Sequence, residues 1–337
     1  NPKDVEFFER AQKELFLKQS QLVAFGSTRR VNGDAESDPT LANLVSAGTS
    51  TVCIVGKSWD YHVTEALRTS LDEGVAMVAD SIKFLKDQGL EVFFDAEHFF
   101  DGYKANPEFA LRVLEGASDA GADCLVLCDT NGGSLPFQIE ETVSEVVSQL
   151  GTPIGVHLHN DTGCGVANAM AGVMAGATQV QGTINGYGER VGNCDLVPII
   201  ANLSLKLGVK TLPDECMEKL TSVAHHVAEL VNFSSDPQQP YVGSGAFAHK
   251  AGLHVSAISR RPDAYEHIDP NLVGNGTRFL VSEMSGKSTI ELRAQQLGLD
   301  IGGETLNEVV ETLKDLEYRG YHFEAADASL ELLLRAS

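Results

Sequence analysis

Pro153-Ile-Gly-Val-His-Leu-His159 is the stretch on which the fold reading turns. It begins as a continuous apolar run, which suits a strand buried on both faces, as in a parallel sheet. It ends in two histidines one residue apart. Successive side chains of a strand point to opposite faces, so His157 and His159 share one face and Leu158 takes the other. Five similar runs surround it: Leu22–Gly26, Thr51–Gly56, Leu90–Asp95, Cys124–Asp129 and Gln179–Ile184. The stretches between them are helical in pattern, as at Val75–Gln88 and Pro107–Ala120, with Gly89, Gly121 and Gly151 near their ends. Strand and helix alternating at this period are βα units.

Six such units follow a lone helix predicted over Pro2–Gln19. A closed barrel needs eight strands. The expected fold is therefore α/β, a TIM (β/α)8 barrel lacking its first two strands in this chain, with strands 3–8 inside residues 1–207. The competing arrangement is an open doubly wound sheet, and the G-x-G-x-x-G that would favour it does not follow an early strand. Beyond residue 207 the strand signal fades. Asp214–Val231, Glu291–Leu297, Leu306–Arg319 and Ala325–Arg335 are helical in pattern, and Asn232–Arg261 is loop-rich. Residues 208–337 are expected to form an appended helical linker and subdomain. The opening at Asn1 and the helical pattern at the other end lead us to expect further sequence on both sides.

Forty-seven acidic and 25 basic side chains leave a formal charge of −22. Such a field repels nucleic acid and anionic membranes and points to a small molecule or another protein as partner. An anionic substrate would then need a local cation. No apolar run reaches membrane-spanning length, and no signal peptide is visible. Six cysteines without a C-x-x-C pair read as reduced thiols of a cytoplasmic protein.

The histidine pair sits where a strand ends, and barrel active sites lie at the C-terminal ends of their strands. Two imidazoles on one face suit a shared divalent ion, or two hydrogen-bonded barrel histidines. Gly186-Tyr-Gly-Glu-Arg-Val-Gly-Asn193 follows the last strand, and its glycines allow close backbone approach to a ligand. It brings Glu189, Arg190 and Asn193 to the same mouth, with Arg190 a candidate for substrate binding. It also reads as an ordinary turn capped by Asn193 or Asp195. Thr130 ends the fourth run and offers a hydroxyl to a carboxylate, or serves a turn before a helix. Glu97 follows the third run and is either a general base or a solvated loop charge. His249 and His254 stand in a glycine-containing loop and have a structural reading as well. Arg29-Arg30 suits a phosphate or a solvated loop.

Together His157-Leu-His-Asn-Asp161, Asn185-Gly-Tyr-Gly-Glu-Arg-Val-Gly-Asn193, Cys128-Asp-Thr-Asn-Gly-Gly133 and Ala246-Phe-Ala-His-Lys-Ala-Gly-Leu-His254 resemble the Claisen-condensing synthases. These are the 2-isopropylmalate, homocitrate and citramalate synthases, in a superfamily that includes hydroxymethylglutaryl-CoA lyase. Ser58-Trp-Asp-Tyr-His62 and Glu283-Met-Ser-Gly-Lys-Ser288 make the long citramalate synthases the nearest resemblance. The resemblance implies an acyltransferase of amino-acid biosynthesis (isoleucine or leucine) that condenses acetyl-CoA with a 2-oxo acid, pyruvate being favoured, and then hydrolyses the thioester. It implies His157, His159 and Asn193 as ligands of Mg²⁺, Mn²⁺ or Zn²⁺, and Thr130 as a contact to the 2-oxo acid carboxylate. It implies Glu97 as the acidic catalytic residue, assisting His254 as the base that takes the methyl proton of acetyl-CoA. His254 and Tyr265 resemble groups that reach the partner's site in a domain-swapped homodimer.

One departure matters. The family's first strand bears an Arg-Asp pair, and nothing here matches it, so a chain without those strands is expected to be inactive. The family's C-terminal regulatory domain has no match either. Three functions therefore compete: the synthase, with 2-oxoisovalerate as the substrate of its isopropylmalate variant; a carbon–carbon lyase on the same barrel; and a non-catalytic metal-binding barrel. For the lyase, Cys194 lacks the glycine-rich setting of the cleaving relative's catalytic cysteine.

Overall fold

Strands β1 (Val23–Ser27), β2 (Thr51–Lys57), β3 (Glu91–Glu97), β4 (Cys124–Asp129), β5 (Ile154–Leu158) and β6 (Gln179–Gln181) form one parallel sheet in the order 1-2-3-4-5-6. The structure, a computed structural model, describes residues 1–250, 254, 257–258, 261–282, 285–324 and 326–337. Each strand pairs with its successor and the order never reverses. That is the construction of a barrel wall, whereas a doubly wound sheet reverses at a switch point.

Helices α1 (Pro2–Glu14), α2 (Pro39–Ser46), α3 (Leu71–Asp87), α4 (Phe99–Ala105), α5 (Pro107–Asp119), α6 (Pro136–Gln149), α7 (Gly165–Met174) and α8 (Leu196–Leu207) alternate with the strands. Local chemistry sets their starts. Asp38 accepts from the Thr40 and Leu41 amides ahead of α2, Ser70 from Glu73 ahead of α3, and Asn106 from Phe109 ahead of α5. Proline stands at the first turn of α2 and α5, where its missing N–H costs nothing.

The sheet has two unlike faces. Val52, Ile54, Val92, Phe94, Ala96, Leu125, Leu127, Ile154, Val156 and Leu158 are each no more than 2% exposed. They form the side against which the helices pack: a side chain on Gly56 would crowd both Phe94 and Val78 of α3, and one on Gly172 of α7 would meet Val156. Arg29, just past β1, clasps this layer. It is 4% exposed and donates to Glu73 Oε1 at 2.6 Å and Asp80 Oδ2 at 2.7 Å, both on α3. Arg29 is thus a structural ion-pair partner rather than a phosphate contact. Its hydrogen bond holds the Glu73 carboxyl below the usual range, against the opposing pull of burial.

Two compact units divide the chain, Asn1–Ile199 and Ile200–Ser337. The second contains α9 (Asp214–Met217), α10 (Leu220–Val231), α11 (Lys287–Gln296), α12 (Gly303–Tyr318) and α13 (Asp327–Ala336), with a parallel pair β7 (Ala248–His249) and β8 (Arg278–Phe279). Ile290, Ala294, Val309, Leu313, Leu330 and Leu334 form the apolar core of α11–α13.

Some boundaries differ from those predicted. The helix expected over Asp214–Val231 is interrupted at Glu218 and Lys219, where the Glu218 carbonyl lies so close to Gly274 that any side chain on Gly274 would overlap it. Strand β6 stops at Gln181, since Thr183 keeps only a single bridge to Asp195 and Asn185 turns left-handed at φ 65°. Helix α1 ends at Glu14 because Leu15 is extended. Ala251, Gly252 and Leu253 of the fourth motif, Glu283 and Met284, and Ala325 lie outside the described residues. All six cysteines are free thiols. No described helix is long and apolar enough to cross a membrane.

Candidate active site

The face opposite the helices carries the chemistry. The alternation that buries Val156 and Leu158 turns His157 over, and β6 sets Gln181 beside it as its register partner. His157 Nε2 and His159 Nε2 face each other at 3.1 Å. At the outer nitrogens, His157 Nδ1 bonds to Gln181 Oε1 and Arg190 Nη2 donates to His159 Nδ1, both at 2.8 Å. A guanidinium only donates and an amide oxygen only accepts. So His157 carries its proton on Nδ1, His159 carries its own on Nε2, and that proton lies between the two rings. Burial above all, then the nearby His157 and Arg190, pushes the His159 imidazole below its ordinary pKa. The ring stays neutral, the form that binds metals.

Asn193 is brought in by the loop after β6, where its backbone bridges to His159 and its N–H donates to Gly186 O at 3.0 Å. Nδ2 donates to Tyr187 O at 3.2 Å, whereas Oδ1 is buried and has no hydrogen-bond partner. The loop needs left-handed backbone at Asn185, Gly186, Arg190 and Gly192. Glycine is required at 192, with φ +100°, because any side chain there would overlap the Gly186 carbonyl oxygen. Helix α8 then begins under Asp195, whose Oδ1 accepts from the Val197 amide at 2.9 Å.

His157 Nε2 and the orphaned amide oxygen offer lone pairs that suit a divalent cation, and His159 can join them when its proton passes from Nε2 to Nδ1 and Arg190 gives up that nitrogen. Among the described residues no three His, Cys, Asp or Glu side chains gather to hold a metal.

The other candidates take definite places. Arg190 is pinned by Asp161 through Nε–Oδ1 and Nη2–Oδ2 bonds of 2.8 Å, and Nη2 also reaches Thr130 O at 2.8 Å. Its guanidinium holds the Asp161 carboxyl below the usual range. Thr130 Oγ1 accepts from the His98 amide at 2.8 Å, which uses a lone pair and not the hydroxyl proton. Glu97 is ion-paired with Lys57, and its carbonyl accepts from Ser58 Oγ at 2.8 Å. The sheet thus gathers Glu97, Thr130, His157, His159, Arg190 and Asn193 within the first unit. His254 and Tyr265 belong to the second unit, where their rings stack 4.2 Å apart.

Lys57, Asp95, Asp161 and Gln181 escaped the sequence reading. Lys57, Asp95 and Gln181 carry the same signal as the histidines: each stands two-residue steps from a neighbour on the polar face. Applying period two to β2, β3 and β6 as well as to β5 would have found them.

The HMGL-like family model matches residues 2–227, and the homocitrate synthase post-HMGL domain-like model matches residues 241–320. The (R)-citramalate synthase of Streptomyces coelicolor is 55% identical over 100% of this chain and 63% of its own length, so the chain spans less than two thirds of that relative. The 2-isopropylmalate synthase of Sulfolobus acidocaldarius is 33% identical, over 95% of this chain and 81% of that one. Among solved structures, the HMG-CoA lyase of Bacillus subtilis superposes with a TM-score of 0.57 at 20% identity, covering 68% of this chain and 76% of the other, a likeness of fold. On the strand order, the site and the family match over residues 2–227, this chain belongs to the HMGL-like family.

Proposed function

We propose that the protein is an (R)-citramalate synthase, joining the methyl carbon of acetyl-CoA to the keto carbon of pyruvate and then hydrolysing the thioester to release CoA. The observation that carries this reading is the set of His157 and His159, 3.1 Å apart, with the partnerless Oδ1 of Asn193 at the ends of the barrel strands. Pyruvate is favoured over 2-oxoisovalerate because identity to the citramalate synthase is 55% against 33% to the isopropylmalate synthase.

His157, His159 and Asn193 would hold Mg²⁺, Mn²⁺ or Zn²⁺. Such a cation, when bound, supplies Lewis-acid stabilisation of the charge that develops on the keto oxygen. Thr130 orients the 2-oxo acid carboxylate through its hydroxyl. Arg190, held by Asp161, places a fixed positive charge beside His159 and favours an anionic substrate in a chain of formal charge −22. Glu97, once relieved of Lys57, assists His254 in taking the methyl proton. His254 and Tyr265 act from the partner subunit of a homodimer, which makes residues 208–337 a linker and subdomain. Small molecules in the cytoplasm, not nucleic acid or membrane, are the partners of this reading.

The test is CoA release from acetyl-CoA by the full-length protein with pyruvate, 2-oxoisovalerate and 2-oxoglutarate, each with Mg²⁺, Mn²⁺ or Zn²⁺. Release with pyruvate far exceeding the others is expected. Preference for 2-oxoisovalerate moves the assignment to isopropylmalate synthase. Cleavage of a hydroxy acid without acetyl-CoA moves it to a lyase.

A further inference from the structure

A line of hydrogen bonds runs behind the two histidines, and its ends fix its direction. At one end Arg190 Nη2 donates to His159 Nδ1 at 2.8 Å. At the other, the Asp95 carboxylate on β3 is 5% exposed. Its Oδ1 accepts from Gln181 Nε2 at 2.8 Å and from Cys53 Sγ at 3.1 Å. Gln181 has a donating and an accepting side. Committing Nε2 to Asp95 turns Oε1 towards His157 Nδ1, 2.8 Å away. Nδ1 must then carry the ring proton, and Nε2 is left as a lone pair turned towards His159.

We propose that Asp95 and Gln181 are positioning residues that preset His157 as a cation ligand: the carboxylate orients the glutamine amide, and the amide selects the imidazole tautomer. This rests on reading His157 and His159 as cation ligands. Neither residue touches the reacting atoms in that reading. Asp95 acts only through Gln181, and Gln181 only through His157. Packing alone does not account for the pair. A buried carboxylate is costly to hold without donors, and an aliphatic residue would fill the same space.

The direction of the line makes the inference testable apart from catalysis. In the cation-free wild-type protein, long-range ¹⁵N–¹H correlation should show His157 protonated on Nδ1. Binding of Co²⁺, followed by calorimetry and visible absorption, should weaken about 10–100-fold in Gln181→Met and in Asp95→Asn, the range for loss of an outer-shell partner. Asn in place of Asp95 can donate as well as accept, so the glutamine amide can turn round. Combining Asp95→Asn with Gln181→Met should weaken binding no further than Gln181→Met alone, because residues acting through one another are not additive. Combining Asp95→Asn with Gln181→Glu should recover most of the affinity. The introduced carboxylate accepts from both neighbours and restores the direction.

Wild-type protein that takes up no Co²⁺ overturns the metal reading and this inference with it. Binding in wild type with equal affinity in both single variants overturns the inference alone, as does His157 protonated on Nε2. So does failure of the Asp95→Asn, Gln181→Glu pair to exceed Asp95→Asn. Circular dichroism melts monitor folding of the variants, and the tautomer measurement needs none of them.

Discussion

The two faces of one sheet obey opposite rules, although the same six strands supply both. Towards the helices, Phe94, Leu127, Val156 and their neighbours have no polar side-chain atoms and are fully buried. There the requirement is volume, and a chemically similar residue of equal size should serve. On the other side, Asp95, His157, His159 and Gln181 touch one another through bonds of 2.8 to 3.1 Å that each need a particular donor and acceptor. There the requirement is direction, and a residue of equal size serves only if it keeps that direction. Alternate positions thus separate stability from chemistry within single strands.

The sharpest way to break this contrast is to remove a histidine. In the full-length protein His157→Ala or His159→Ala should lower the proposed pyruvate-dependent release of CoA by about 10³-fold or more, the scale of losing several kcal/mol of metal assistance. The thermal midpoint should shift little. A histidine variant that unfolds as readily as a core variant would abolish the distinction. The converse substitution is Leu127→Ala, expected to cost about 2–5 kcal/mol of stability in urea titrations. The molecules that remain folded should bind Co²⁺ as wild type does. Gly192→Ala tests whether the loop belongs with the polar face: strain of about 1–3 kcal/mol at a left-handed position, plus overlap with the Gly186 carbonyl, should weaken Co²⁺ binding while the core melts normally.

The smallest expected effect concerns the helix side and pH. Arg29 depresses the Glu73 carboxyl in the folded state relative to the unfolded chain. The unfolded chain therefore binds the proton more readily, so this contribution is whole above about pH 4.3, the ordinary glutamate value. It is lost as pH falls through the depressed folded value. Arg29→Met should remove that acid limb and flatten the dependence of the urea midpoint on pH below about 5, without changing Co²⁺ affinity at neutral pH.

Much of this was legible in the sequence. The run Cys124–Asp129 has the boundaries expected of it, because an uninterrupted apolar strand declares itself locally. The histidine pair was legible for the same reason, since alternation is a property of the strand alone. Less visible were features that depend on a second segment. Lys57 pairs with Glu97 only because β2 and β3 are in register at their last residues. Gln181 meets both Asp95 and His157 only once the sheet curves β3 and β6 onto a common side. The Glu218 carbonyl, at the helix break, lies against Gly274, more than fifty residues away. No local pattern encodes such meetings.

The alternation that separates the faces also ties the accuracy of folding to the working centre. Were β5 to slide by one position against β4, Val156 and Leu158 would take the polar side and the imidazoles would be driven under the helices. That misaligned chain would lose its cage and its oily seal in the same event. Selection for turnover in this protein therefore also acts as inspection of strand alignment, and a molecule that works has already proved that it was assembled correctly.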